Sequence, residues 1–203
     1  MHISEGILSA PVLLTGVILA AGGVSLGLKK MEYEKIPEVA VLTSAFFVAS
    51  LIHIPIGPSS AHLVLNGLLG LLLGWPVFSA ILVGLALQAL LFQFGGITSL
   101  GVNTFNMAFP AMVSFYLFRL FNRRYNRYMF IFSGFLCGVI GILGSALLVA
   151  ISLVTTGEAF LIAAKLIVIA HLPVMIIEGG ITAAAVIFLN KVKPELLTKE
   201  VRT

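Results

Sequence analysis

The chain has 203 residues, 60% of them hydrophobic and only 10% charged, with a formal charge of +4 and a mean hydropathy of +1.14. A soluble domain carries about a quarter of its residues as charges, so this one cannot cover its surface for water and reads as an all-α polytopic membrane protein. A single cysteine, Cys137, excludes an intrachain disulfide and a thiolate zinc cluster, the absence of Asp excludes Asp-based dyads and triads, and no G-x-x-x-x-G-K-[ST] stretch is present to cradle ATP.

Apolar runs fall at 7–28, 39–54, 62–74, 77–94, 104–121, 129–154 and 159–190. A spanning helix needs about 20 apolar residues, and most of these runs fit; the run at 62–74 is short. The last run is long and holds Pro173, which removes one helical hydrogen bond and is expected to bend the helix. Stretches such as LLGLLLG do not alternate as a membrane β-barrel strand would. The expectation is therefore a single domain over residues 1–203, a transmembrane helical bundle of about seven spans.

Orientation follows from the basic residues. Lys29, Lys30 and Lys35 lie between runs one and two. Arg119, Arg123, Arg124 and Arg127 lie between runs five and six. Lys191, Lys193, Lys199 and Arg202 follow run seven. Eleven of the twelve basic residues thus share one side if the N-terminus is outside and the C-terminus cytoplasmic; Lys165 is the exception. Basic residues confined to short connections do not suggest nucleic-acid binding. Met1–Gly6 has no basic residue before the first apolar run, unlike a signal peptide, so the N-terminal segment is expected to be retained. Gly23-x-x-x-Gly27 and Gly70-x-x-x-Gly74 have the spacing of close helix approach, within the chain or toward another membrane subunit.

Three of the four histidines have informative settings. His2 stands next to the terminal amine, if Met1 is unblocked. That amine, the His2 amide nitrogen once deprotonated and the imidazole Nδ1 can close two chelate rings in one plane. A fourth nitrogen would complete a square, which suits Ni²⁺ or Cu²⁺; the alternative is a solvent-facing histidine at a frayed end. His53 and His62 bracket a segment with two prolines, a glycine and two serines. Non-helical backbone at membrane depth survives where it is buried or lines a cavity, and a broken segment between short runs points to a binding site. The alternative is an ordinary outer loop. His171 and Glu178 lie two helical turns apart on one face, as a hydrogen-bonding pair near the ligands or as a structural pair with each other or Lys165. Asn103 and Asn106 begin the fifth run, as helix caps or as donors around a ligand shell.

Three separated motifs carry a family resemblance. Met1-His2-Ile3-Ser4-Glu5-Gly6-Ile7-Leu8 resembles the M-H-I-x-[ED]-G-x-L start of the NikM/CbiM family. Pro55 to His62 matches its P-[IV]-x-G-x-[ST]-x-H pattern. Gln88-Ala-Leu-Leu-Phe-Gln-Phe-Gly-Gly-Ile-Thr-Ser-Leu-Gly-Val-Asn-Thr-Phe-Asn-Met107 is similar to its Q-A-x-L-F-x-x-G-G-[LI]-x-x-L-G-x-N-x-x-N-M. The region of His171 and Glu178-Gly179 looks like the family's last span. These are substrate-binding membrane components of nickel and cobalt energy-coupling-factor transporters.

The resemblance implies a seven-span specificity subunit in the prokaryotic plasma membrane. Its residues 1–6 would fold back as a metal-chelating segment. The implied ligands are the Met1 amine, the His2 amide nitrogen, the His2 imidazole and His62. His53 departs from the pattern, where many members carry Asn; it stands as an extra ligand, a supporting donor or a gate. Glu5, Ser59, Ser60, Asn103, Asn106, His171 and Glu178 are expected to support the ligands or the fold. The substrate is Ni²⁺ or Co²⁺, and no nucleotide binds this chain. The implied partners are a transmembrane coupling subunit, two ATPase subunits and a small accessory membrane subunit. A reading from another class, an intramembrane metal-dependent hydrolase using His53, His62, His171 and Glu178, lacks an H-E-x-x-H helix and a G-x-S-x-G turn. A stand-alone proton-coupled carrier would want several buried carboxylates, and Glu178 is the clear mid-span one.

Overall fold

Seven principal helices follow the seven apolar runs in chain order: α1 (Ala10–Lys29), α2 (Ile36–Ala49), α3 (Asn66–Leu73), α4 (Val77–Phe92), α5 (Leu100–Phe121), α6 (Arg127–Thr156) and α7 (Leu161–Val192). A one-turn α8 (Glu195–Thr198) follows, and 3₁₀ turns precede α2 and α7. The computed structural model describes the backbone of residues 2–56, 59–122 and 126–198, and side chains there except those of 53–62 and 198. Between α2 and α3 the chain leaves the helical pattern. There β1 (His53–Ile56) and β2 (Ser59–His62) pair antiparallel, with His53 opposite His62. Among the described residues the helical bundle therefore carries one small hairpin, placed where the Pro- and Gly-rich sequence cannot sustain a helix.

Local chemistry sets the helix ends. Pro11 stands in the first turn of α1, where its missing N–H costs nothing. The Asn126 side chain accepts the N–H groups of Tyr128 and Met129 and so caps α6. Helix α7 continues across Pro173 as one 32-residue element, and α5 likewise continues across Pro110. Among the described residues three stretches are long and apolar enough to cross a membrane: Ala10–Lys29, Arg127–Thr156 and Glu158–Val192. Helix α4 is apolar but has 16 residues, and α2 and α3 are shorter still, with 14 and 8 residues.

Helix α5 is the hub, packing on α1, α3, α4 and α6, while α6 and α7 run together along their length. Short α3 lies against α5 and α6. Its Gly70 touches α5 so closely that an added Cβ would run into the Ala111 backbone. At the α6–α7 crossing, a Cβ on Gly138 would stand 2.5 Å from the Glu178 carbonyl oxygen. At both positions the missing side chain permits backbone contact, so these glycines serve packing inside the chain.

Polarity is reversed relative to a soluble domain. Leu14, Leu90 and Ile162 are more than half exposed, whereas Asn66, Gln88, Thr104 and Thr182 are buried. An apolar exterior needs lipid around it. Burial favours polar groups that are hydrogen-bonded, and the amide nitrogens of Asn66 and Gln88 bond across helices. Asn66 Nδ2 donates to the Met107 carbonyl (3.2 Å), the Gly141 carbonyl (3.0 Å) and Ser145 Oγ (2.8 Å), tying α3 to α5 and α6. Gln88 Nε2 donates to Ser50 Oγ, joining α4 to the end of α2.

Candidate metal centre

The N-terminal segment enters the bundle instead of fraying. His2 and Ile3 are buried, 5% and 0% exposed, and Leu8 is buried as well. The Ile3 side chain packs with Val102 of α5, Val149 and Leu153 of α6, and Ala164 and Ile167 of α7. Burial of one aliphatic side chain contributes about 1.5–3 kcal/mol and draws the segment inward.

Backbone pairing fixes what hydrophobic contact only attracts. The Asn103 amide grips residue 3 in both directions: Oδ1 accepts the Ile3 N–H at 2.9 Å, and Nδ2 donates to the Ile3 carbonyl at 3.1 Å. Ser99 Oγ donates to the same carbonyl at 2.9 Å and accepts from Asn103 Nδ2 at 3.1 Å. Among the described residues no strand pairs with this segment, and the Asn103 carboxamide takes that place. The capping role expected for Asn103 is therefore overturned. Ser99 occupies the N-cap position without a side-chain capping bond. Asn106 is not a cap either; its Nδ2 donates to Ser152 Oγ on α6 at 3.2 Å.

The loop before α5 completes the seat. Gly95 has φ +79°, and a Cβ there would meet Asn103 Nδ2 at 3.1 Å and His2 Cβ at 3.5 Å. Gly96 has φ +152° and lies under Glu5, whose Oε1 accepts the Thr98 N–H at 3.4 Å. The His2 ring faces Phe94, with centroids 6.4 Å apart. Sequence reasoning quoted Phe94, Gly95, Gly96 and Ser99 inside a motif but gave them no role. The Gly-Gly pair was the available signal, because adjacent glycines before a helix suggest backbone conformations other residues resist.

The other candidates stand on α7 and the hairpin. His171 is buried, and its Nδ1 lies 2.6 Å from the Ile167 carbonyl. A carbonyl only accepts, so Nδ1 carries the proton and Nε2 the lone pair in the neutral ring. Glu178 is also buried and is bonded to neither His171 nor exposed Lys165. Its carboxylate accepts the backbone N–H groups of Val64 and Leu65, so the expected α7 ion pair is corrected to a link between helix and loop. Helix α7 packs against both strands of the hairpin. Met1 and the side chains of His53, Ser59, Ser60 and His62 lie outside the described residues. Among the described residues no three His, Cys, Asp or Glu side chains converge. A cavity of about 460 Å³ between α1, α5 and α6 is lined by apolar and hydroxyl side chains with Asn106, and has no histidine, cysteine or carboxylate to ligate a metal.

Comparisons with known proteins identify the family. Residues 2–196 match the family described as CbiM, the cobalt uptake substrate-specific transmembrane region. A protein of Haemophilus influenzae named for metal transport is 41% identical over 204 residues, covering 98% of each chain. A protein of Archaeoglobus fulgidus named as the fused nickel transport protein NikMN is 30% identical over 98% of this chain and 69% of its own length. A crystal structure of a transition metal transporter superposes with a TM-score of 0.83 at 30% identity, covering 96% of this chain and 95% of that one. The relatives are metal transport proteins rather than enzymes. With an apolar helical bundle and a buried N-terminal histidine seat, the chain belongs to the CbiM family of cobalt and nickel transport components.

Proposed function

We propose that the chain is the substrate-specificity subunit of an energy-coupling-factor importer that binds and occludes Ni²⁺, with Co²⁺ as the alternative cargo of the same site. In this reading seven spans cross the prokaryotic plasma membrane, with the N-terminus outside and the C-terminus cytoplasmic. A transmembrane coupling subunit, two ATPase subunits and a small accessory membrane subunit drive reorientation and release. The observation that carries the reading is the grip of Asn103 and Ser99 on Ile3, which holds buried His2 next to the chain's first residue.

The chemistry follows from that placement. The Met1 amine, the His2 amide nitrogen and the His2 Nδ1 form a planar set of three nitrogens, and His62 from the hairpin supplies the fourth. A square of nitrogen donors favours Ni²⁺ over Zn²⁺ or Mg²⁺. Burial strips the ion's water, so the cargo leaves only when the seat is disturbed. His53, opposite His62 in the hairpin register, acts as an extra ligand, a supporting donor or a gate. Purified protein loaded with Ni²⁺ is expected to be diamagnetic with a yellow d–d band. A paramagnetic, pale complex would indicate octahedral coordination and reject the site.

Four outcomes are expected. His62→Ala weakens Ni²⁺ binding by more than about 100-fold, beyond the 10–100-fold typical of outer residues, whereas His53→Ala has a smaller effect. Calorimetric titration that gave the opposite order would exchange the two roles.

Asn103→Ala, which removes both bonds to Ile3, lowers affinity by about 10–100-fold. Asn103→Asp keeps an acceptor for the Ile3 N–H but loses the donor to its carbonyl, and falls between alanine and wild type in the same titration.

Binding also weakens as pH falls. The amine titrates near pH ~8 and the imidazole near ~6.5 at their reference values, and both must be deprotonated to ligate. Affinity is therefore expected to fall steeply from about pH 8 to about pH 6; a flat profile in equilibrium titrations across that range would contradict an amine–amide–imidazole site.

An uncleaved N-terminal tag converts the terminal amine to an amide and adds bulk where the segment enters the bundle. It is expected to abolish metal content and uptake when expressed with the partner subunits, while a C-terminal tag leaves both intact. Full uptake by a verified N-tagged protein would remove the amine from the ligand set.

A further inference from the structure

Glu178 is fully buried, and among the described residues it pairs with no cation. Taking a carboxylate out of water is costly unless its charge is hydrogen-bonded. Here the bonds come from a single place. Oε1 accepts the Val64 N–H at 2.5 Å, and both oxygens accept the Leu65 N–H, at 2.9 and 3.0 Å. Leu65 is the N-cap of α3, sits in the left-handed region at φ 56°, and makes no side-chain capping bond of its own. Its N–H is one of the donors a helix leaves unsatisfied at its start. Glu178 satisfies it from a distant helix, with its negative charge at the positive end of the α3 dipole.

The position of this cap matters because of what lies just upstream. Strand β2 ends at His62, two residues before Val64. Two residues of chain reach at most about 7 Å, so fixing Val64 confines the backbone of His62. The next residue, Asn66, is held to α5 and α6 through its amide. Three consecutive residues are thus anchored to three different helices, immediately beyond the hairpin. At the same height Gly138 of α6 lets the α6 and α7 backbones meet at Glu178. A buried glutamate is a poor choice for filling space at this crossing. It is a good choice for holding two backbone N–H groups at a set height.

We propose that Glu178 is a positioning residue for His62, fixing through Val64 and Leu65 where β2 delivers its last residue to the ion. The proposal rests on the reading of His62 as a ligand. The experiment is a double-mutant cycle on full-length protein with a native N-terminus, using Ni²⁺ titration and the absorption spectrum as readouts. Glu178→Gln retains the shape but weakens the acceptor for two N–H donors. It is expected to lower Ni²⁺ affinity by about 10–100-fold and to shift the d–d band. In the His62→Ala background the same change is expected to have less than about a twofold effect, because no fourth ligand remains to misplace. Wild-type affinity and spectrum in Glu178→Gln, or equal losses in both backgrounds, would overturn the proposal. Wild-type binding by His62→Ala alone would instead reject the ligand reading and the proposal with it. Should Glu178→Gln not yield monodisperse protein, Glu178→Asp retains the charge and retracts it by one methylene. The same non-additivity is expected of it, and additive losses would be equally decisive against.

Discussion

The bonds between Asn103 and residue 3 are the constraint on which the site depends. A chain terminus ordinarily frays, because nothing offsets the entropy of ordering it. Here the second and third residues sit in the interior, and Ile3 clusters with α5, α6 and α7. Burying extended backbone there would strand an N–H and a carbonyl, at about 1–3 kcal/mol for each unsatisfied group. One carboxamide answers both, and Ser99 adds a second donor to the carbonyl. The rest of the seat follows. Gly95 and Gly96 supply the positive φ of the turn before α5, and at Gly96 a Cβ would also collide with Glu5 of the incoming segment; the start of α5 then presents Ser99 and Asn103 one turn apart.

A second set of polar contacts governs the hairpin in the same manner. The bundle binds its non-helical pieces through buried side chains on neighbouring helices: Asn103 for the N-terminal segment, Glu178 and Asn66 for the chain leaving β2. These groups cost stability unless satisfied, and are satisfied only in one arrangement. They specify geometry where apolar packing alone would tolerate sliding. The close glycine contacts serve the same end, letting backbones meet so that short polar side chains can span the gap.

Much of the fold was legible in the sequence because lipid imposes a simple rule. Every backbone group in the hydrocarbon must be satisfied within its own segment, so apolar runs become helices, and the seven runs correspond to α1 through α7. The interest of His2 as a candidate ligand was legible too, since an amine, an amide and an imidazole at the start of the chain are adjacent by covalent connectivity alone. The hairpin was readable only as an interruption, because Pro and Gly forbid a helix without dictating what replaces it.

The roles of Asn103, Asn106 and Glu178 depended on tertiary structure. Local reasoning offered the asparagines a helix end or a ligand shell, and Glu178 a place near the ligands or a partner on its own face. The cap and the same-face partner are close in sequence, but the observed partners are about 100 residues away in two cases, Ile3 for Asn103 and Val64 for Glu178. A side chain's chemistry states how many hydrogen bonds it must make when buried. The packing of α5 and α7 against segments distant in the chain decides which groups arrive to make them. The sequence by itself therefore determined the helices, the lipid-facing character and the chelating potential of the first residues. The fold alone decided that these residues would be buried, and which helices would hold them there.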